Sequence, residues 1–462
     1  MGDTAHPFIP NTAPEARARA LKTIGIDSVE EIYATVPDRV RFKGTMDLPA
    51  PIRSEGALRR HLDRIVSKNL STRDNLSFLG GGCWPHYVPA VCDEIANRGE
   101  FVTAYGGGEL GDHGKWQAIF EFQSLLGELI GMDVVSAPTY DWGAAANSAL
   151  LMATRYTGRS ELLVPESISA DRYSQMYNFV RPVASISKVR MDPATGLMDL
   201  DDLRAKVSDR TAAVYFENPT FLGTVEIGAR EIVEAAKAAG ALAIAGVDPI
   251  TLGVISPPGD YGADIVVGDI QPLGIHMNGG GGLAGFIASA DEPKIVAEYN
   301  ALLVSVAPGT SEGEVGFNYS TFERTSYEVR GDSPDYIGTT QWLWGIVAGV
   351  YLSLMGPKGM QDVGETILQR SSYAAARLGE LDGVTAPALS GPFFKEFVVD
   401  FTGTGKSMAE INQGLRDRGI FGGHALTGDF PQMGQSALYC VTEVHDKADI
   451  DELVAALKEV LS

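Results

Sequence analysis

The chain has 462 residues and a formal net charge of −22, with 59 acidic side chains against 37 Lys and Arg. This charge disfavours nucleic acid or an anionic membrane as a partner, and the length predicts two or three units around a sizeable core. The three cysteines form no CxxC pair, which favours free thiols in a reducing compartment. The longest apolar run, residues 342–356, is too short to span a bilayer. We therefore predict a soluble cytoplasmic protein and no metal site.

Residues 1–75 predict an N-terminal helical arm. The stretch ALKTIGIDSVEEIYATVP has apolar residues at helical spacing, with Ser28 or Asp27 as a possible N-cap and Glu31 as its capping-box partner. So short a segment has little core of its own. We expect it to wrap a partner subunit; the alternative is a frayed leader.

Residues 76–340 predict a large α/β domain, because short apolar runs alternate with amphipathic stretches such as REIVEAAKAAG, which Gly240 would cap. Strands alternating with helices imply right-handed βαβ units and a mostly parallel sheet. Residues 341–462 predict a small C-terminal α/β domain. The predicted strands are 161–165, 184–191, 212–216, 241–247, 264–267, 283–288, 396–401 and 438–442, and the predicted long helices are 341–354 and 449–461.

The stretch 241–290 suggests a cofactor fold that lacks its lysine. Asp248 follows a predicted buried strand, at the sheet edge where α/β folds bind ligands. In pyridoxal-phosphate folds such an Asp pairs with the pyridine nitrogen, and a later Lys forms the Schiff base. No Lys occurs between Lys237 and Lys294, and Gln271 stands in the expected loop. An amide cannot replace an amine nucleophile. The alternative for Asp248 is a simple turn cap.

Two further motifs follow predicted secondary structure. Gly143 and the alanines after it open a helix without bulk, so its free N–H groups could hold a phosphate, although such helix starts are common. Glu217-Asn218-Pro219-Thr220 with Gly223 places polar groups after a strand, where an ordinary Asx turn is the alternative.

Two glycine triplets lie between residues 77 and 123, and His and Tyr residues follow or precede them in sequence. The second triplet follows Tyr105 and precedes His113. Gly-rich loops with such side chains often line sites, and surface turns are the alternative.

The motifs resemble a known family. FLGGGCWPHYVPAV resembles a stretch of the glycine dehydrogenase (decarboxylating) P-protein, and the further matches are EFVTAY, QAIFEFQ, GMDV, VDPITLG, PPGDYGADIVVGDIQPLG, GPFFKEFVV and CVTE. They run in order along nearly the whole chain and are specific to the α subunit (subunit 1) of the two-chain bacterial enzyme.

This resemblance implies pyridoxal-phosphate fold type I, like aspartate aminotransferase, and a heterotetramer whose β subunit (subunit 2) holds the cofactor covalently through its lysine. Asp248, Gln271 and Gly143 would be the cofactor-site positions of this chain, vestigial or one step removed from the cofactor.

The resemblance also implies an activity. The enzyme decarboxylates glycine and passes the aminomethyl group to the lipoylated H protein. The chain would complete the partner's site with the loop from Tyr105 to His113. Tyr105 would orient the substrate, and His113 would move a proton or bind a carboxylate.

Two alternatives stay open. The loop YGGGELGDHG is shorter than in the family, and SYEVRGDSPDYIGTTQ and IHMNGGGG replace family segments. A diverged paralogue acting on another small amino acid or amine would explain these differences. A purely structural or regulatory partner subunit fits the missing lysine equally well.

Overall fold

The computed structural model describes residues 5–6, 8–9, 11–102, 113–279, 282–301, 303–320, 324–325, 336–338 and 340–462. The contacts among them divide the chain into two units, Met1–Asn69 and Leu70–Ser462. None of the described helices combines the length and apolarity needed to cross a membrane.

The unit Met1–Asn69 holds helices α1 (Pro14–Ile24) and α2 (Glu55–Val66), with a 3₁₀ helix at Val29–Thr35. The predicted capping box is present: Ser28 N–H donates to Glu31 Oε1 at 2.9 Å. None of the described residues of this unit is buried. Its exposed apolar side chains include Phe8, Phe42 and Leu48.

The unit Leu70–Ser462 alternates helices and strands. Its helices are α3 (Ala90–Ala96), α4 (Gly99–Val102), α5 (His113–Ile130), α6 (Trp142–Thr157), α7 (Ala170–Val180), α8 (Leu200–Lys206), α9 (Ala229–Ala238), α10 (Pro293–Val296), α11 (Trp342–Leu378), α12 (Met408–Arg416) and α13 (Lys447–Leu461). Its strands are β1 (Leu76–Ser77), β2 (Val134–Val135), β3 (Glu161–Pro165), β4 (Ser185–Val189), β5 (Thr211–Asn218), β6 (Leu242–Val247), β7 (Ile265–Asp269), β8 (Gly285–Ser289), β9 (Val304–Pro308), β10 (Val315–Tyr319), β11 (Glu396–Asp400), β12 (Ile420–Phe421), β13 (His424–Ala425) and β14 (Ser436–Cys440).

Seven strands form the central sheet, in the order β2-β8-β7-β6-β5-β3-β4. The five strands from β7 to β4 run parallel, whereas β8 is antiparallel to both its neighbours. The mostly parallel sheet predicted from the sequence is therefore confirmed. Gly240 was predicted to cap α9, but the residue that caps this helix is Ala239; Gly240 follows it with a left-handed φ of +69°.

Helices cover both faces of this sheet. Val214 and Phe216 of β5 belong to the same apolar cluster as Phe122 of α5, whereas Ala213 belongs to the cluster that contains Ala149 of α6. All residues of β5, β6 and β7 are buried. This double cover explains why each of these strands contains a continuous apolar run in sequence.

The C-terminal part forms a second, antiparallel sheet in the order β11-β14-β13. The helix predicted at 341–354 continues to Leu378, with a break at Gly356 (φ +58°) just before Pro357. Ile450, Leu453 and Leu457 are buried, as the apolar face of the closing helix predicts. The division of this unit at 340/341 stays a prediction.

Candidate cofactor site

Asp248 lies at the carboxyl end of β6, where the sequence predicts a ligand-binding group. Its Oδ1 accepts the Ile250 N–H at 3.2 Å and so caps the next turn. Its Oδ2 lies 2.6 Å from Nζ of Lys395, and both side chains are buried. The strand-end carboxylate therefore serves as a turn cap and also pairs with a cation of the same chain.

The Lys395 ammonium has two more neighbours. It lies 3.5 Å from the centre of the Trp84 ring and 3.0 Å from His86 Nε2. The other ring nitrogen of His86, Nδ1, lies 2.9 Å from Glu443 Oε2. Burial by itself would raise the pKa of Glu443, but His86 and the Tyr87 N–H outweigh it and lower that pKa to about 2. A chain of polar contacts thus runs from Asp248 to Glu443.

Gln271, which stands where a Schiff-base lysine is expected, holds a loop in place. Its Nε2 donates to the carbonyls of Trp84 at 3.1 Å and Ile275 at 3.0 Å, and its Oε1 accepts the Trp84 N–H at 3.1 Å. The amide therefore fixes the backbone of the tryptophan whose ring covers the Lys395 ammonium.

A second ion pair lines the same pocket. Arg172 pairs with Glu217, and both side chains are buried. Tyr215 Oη donates to Glu217 at 2.8 Å and accepts Trp142 Nε1–H at 3.0 Å. The Trp142 ring packs on the Arg172 guanidinium at 4.1 Å, so aromatic and charged groups occupy this space together.

The N-terminus of α6, where the sequence suggests a phosphate, already carries two carboxylates. Asp141 accepts the Ala144 N–H at 2.7 Å, and Asp269 accepts the Trp142 N–H at 3.2 Å. Burial raises the pKa of Asp269 to about 6. At Gly143, an added Cβ would lie 2.2 Å from Gln175 Oε1, so the exposed Gln175 side chain would have to move. A phosphate would have to displace these acidic groups.

The space left between these groups does not fit pyridoxal phosphate. The cavity lined by Trp84, Trp142, Arg172, Asp248 and Lys395 measures about 20 Å³. That is room for roughly one water molecule, whereas small-molecule pockets measure about 300–1,000 Å³. Among the described residues, no group of three or more His, Cys, Asp and Glu is placed to hold a metal ion.

The other residues singled out in the sequence have different positions. Asn218 Oδ1 accepts the N–H of Glu226 at 3.0 Å, eight residues further along the chain, so its side chain ties two backbone segments together. Tyr105 lies outside the described residues; His113 begins α5, but its side chain lies outside them as well. Their predicted roles therefore stay predictions. Sequence reasoning missed Lys395, although a charged residue inside GPFFKEFVV was a visible signal.

Glu396, next to Lys395, offers a pH-dependent test of this pocket. Its Oε1 accepts the Gly81 N–H at 2.6 Å, and burial raises its pKa from 4.5 to about 7. The folded chain therefore binds more protons than the unfolded chain between these values, so this group lowers stability as the pH rises from about 4.5 to 7. Glu396→Gln keeps an acceptor and stays neutral. At ~1.4 kcal/mol per pKa unit, we expect it to gain on the order of 3 kcal/mol over wild type at pH 8 and little at pH 5.

Urea unfolding between pH 5 and pH 8 measures this difference, with Glu452→Gln, a change at an exposed glutamate, as the control. An equal effect of Glu396→Gln at both pH values would contradict the assignment of the titration to Glu396.

Solved structures with the same architecture identify the class. A sphingosine-1-phosphate lyase of Burkholderia pseudomallei matches 92% of this chain and 94% of its own with a TM-score of 0.66 at 13% identity. A NifS-like protein matches 84% of this chain and 99% of its own with a TM-score of 0.61 at 12% identity. The fold is that of the pyridoxal-phosphate enzymes of fold type I, as the sequence resemblance implies.

Closer similarities identify the family. The profile of the glycine cleavage system P-protein matches residues 6–457. A crystal structure of glycine decarboxylase (P-protein) in inhibitor-bound form covers 98% of this chain and 100% of its own, with a TM-score of 0.85 and 32% identity. "Probable glycine dehydrogenase (decarboxylating) subunit 1" of Staphylothermus marinus and that of Aeropyrum pernix are each 36% identical over 99% of both chains. The chain belongs to the glycine cleavage system P-protein family, which confirms the resemblance seen in the sequence.

Proposed function

We propose that this chain is the α subunit (subunit 1) of a heteromeric glycine dehydrogenase (decarboxylating), an oxidoreductase, and that it is not catalytically complete alone. Its full-length similarity to proteins named subunit 1 carries this proposal. The absence of a lysine between Lys237 and Lys294 supports it, since no amine there can hold the cofactor.

Pyridoxal phosphate, held covalently by the lysine of a β subunit (subunit 2), would supply the electron sink for glycine decarboxylation. A lipoylated H protein would accept the aminomethyl group. We assign no step to this chain's own pocket, because its residues do not fit the cofactor. The contribution of this chain is the loop from Tyr105 to His113, reaching into the partner's site.

The N-terminal unit supports the presence of a partner subunit. Its described residues form no buried core, and large apolar side chains such as Phe8, Phe42 and Leu48 are exposed. Exposed apolar surface of this kind marks a site of protein–protein contact. The arm is therefore the part of this chain that would wrap the β subunit.

Reconstitution tests the function. We expect this chain alone to show no aldimine absorbance and no exchange of the glycine carboxyl group with CO₂. Co-purified with a lysine-bearing β chain and supplied with lipoylated H protein, it should show both. Borohydride reduction should then label only the β chain, and a labelled peptide from this chain would contradict the proposal.

The same assay separates the two alternatives. The changed segments YGGGELGDHG and IHMNGGGG are the reason to consider a diverged paralogue. Higher turnover with another small amino acid or amine than with glycine would favour that alternative. A β chain that is as active alone as in the complex would make this chain a structural or regulatory partner.

A further inference from the structure

Lys395 and Asp248 join two different sheets. Asp248 follows β6 in the centre of the seven-stranded sheet, and Lys395 immediately precedes β11 of the antiparallel sheet. The side chain of Lys395 is 3% exposed and that of Asp248 is 5% exposed, and Lys395 Nζ lies 2.6 Å from Asp248 Oδ2. A buried carboxylate without such a partner would be strongly destabilising.

We propose that the Lys395 ammonium takes the place of the cofactor's pyridinium beside Asp248, so that this chain excludes pyridoxal phosphate even as a non-covalent ligand. This inference rests on the proposed function and deepens it, because it explains how the cofactor is confined to the partner. In a cofactor-binding fold of this type, the strand-end Asp finds its positive charge on the pyridine nitrogen. Here the chain supplies that charge itself.

The groups around Lys395 make the replacement stable. The Trp84 ring covers the ammonium, and cation–π contacts of desolvated ammonium groups are favourable. The Gln271 side chain holds the Trp84 backbone, because it accepts the Trp84 N–H and donates to the Trp84 carbonyl. The residue that replaces the Schiff-base lysine and the residue that replaces the pyridinium are thus linked through one tryptophan.

The space and the charges left in the pocket agree with this inference. A cavity of about 20 Å³ cannot admit a pyridine ring. The carboxylates of Asp141 and Asp269 at the start of α6 oppose a phosphate. Arg172, the other cation of the pocket, is already paired with Glu217.

Ligand binding to the full-length chain is the first test. The probe is pyridoxine 5′-phosphate, which has the ring and phosphate of the cofactor but no aldehyde to react with surface lysines. We expect no saturable quenching of tryptophan fluorescence and no retention in equilibrium dialysis. Saturable binding of one probe per chain, lost in Asp248→Leu, would overturn the proposal.

A double-mutant cycle is the second test. Lys395→Met leaves the Asp248 carboxylate buried and unpaired, so we expect Tm to fall by roughly 5 °C or more. Asp248→Asn in the same chain removes that charge and keeps an acceptor for Ile250 N–H, so the double variant should recover most of the loss. If the single variant does not fold, a double variant that folds gives the same answer.

The exposed pair Lys358 and Asp362 is the matched control, and Lys358→Met with Asp362→Asn should show almost no coupling. Additive losses at Lys395 and Asp248 would overturn the proposed neutralisation. Neither test uses the partner or glycine, so their outcome is independent of whether the complex decarboxylates glycine.

Discussion

Gln271→Lys, which puts a lysine back where the Schiff-base residue is expected, should destabilise the chain and should not create a cofactor site. A lysine cannot accept the Trp84 N–H, so a buried donor loses its partner, and a new charge enters a buried position. These two effects together cost about 3–5 kcal/mol. The cavity stays closed, because Trp84, Trp142 and Lys395 still fill it.

Urea unfolding measures the stability change, and absorbance after addition of pyridoxal phosphate, with borohydride trapping and peptide mapping, tests for an aldimine at residue 271. The control is Gln361→Lys, at an exposed position one helical turn from Glu365, where we expect a change within about 0.5 kcal/mol. A stable variant with a trapped aldimine at residue 271 would mean that only the lysine is missing from this pocket.

His113→Ala should lower turnover of the assembled complex by roughly 10²-fold if the imidazole is a general acid or base in the partner's site. The glycines before it let the backbone approach a ligand closely. Tyr105 and His113 are the side chains of this segment suited to hydrogen bonding or proton transfer near neutral pH. Glu109 and Asp112 would repel a substrate carboxylate unless they bind its amine.

Turnover with glycine and lipoylated H protein, normalised to assembled complex by size-exclusion chromatography, measures this effect. His424→Ala, at an exposed histidine of β13, is the matched control and should leave turnover unchanged. A change below about threefold for His113→Ala, with assembly intact, would leave the loop as scaffold and favour a structural partner.

Local pattern was enough to predict most of the sheet. The strand predicted at 161–165 is β3 to the residue, and β6 begins one residue inside its predicted range. Buried parallel strands are short continuous apolar runs, so composition marks them directly. The sequence located a strand at 283–288, which corresponds to β8, but it did not predict the direction of that strand. The direction depends on which strand it pairs with, and β8 is antiparallel to β7.

The pocket shows where local pattern stops being sufficient. Asp248 could be placed at a ligand-binding edge because strand ends follow from the apolar run before it. The ionic partner of Asp248 could not be predicted, because Lys395 immediately precedes a strand of another sheet and a lysine is ordinarily exposed. Gln271 likewise looked like a simple loss of the lysine, whereas its amide makes three hydrogen bonds.

The sequence by itself thus determined the family, the position of most strands of the central sheet, and the absence of an amine between Lys237 and Lys294, because these depend on residues close together in the chain or on their identity alone. Only the tertiary structure decided what fills the cofactor position. Asp248, Trp84, Gln271 and Lys395 come from distant segments, and their burial and pairing arise when the two sheets pack against each other. The free energy needed to desolvate each charged side chain depends on how deeply the fold buries it, and the identity of the residue does not reveal that burial.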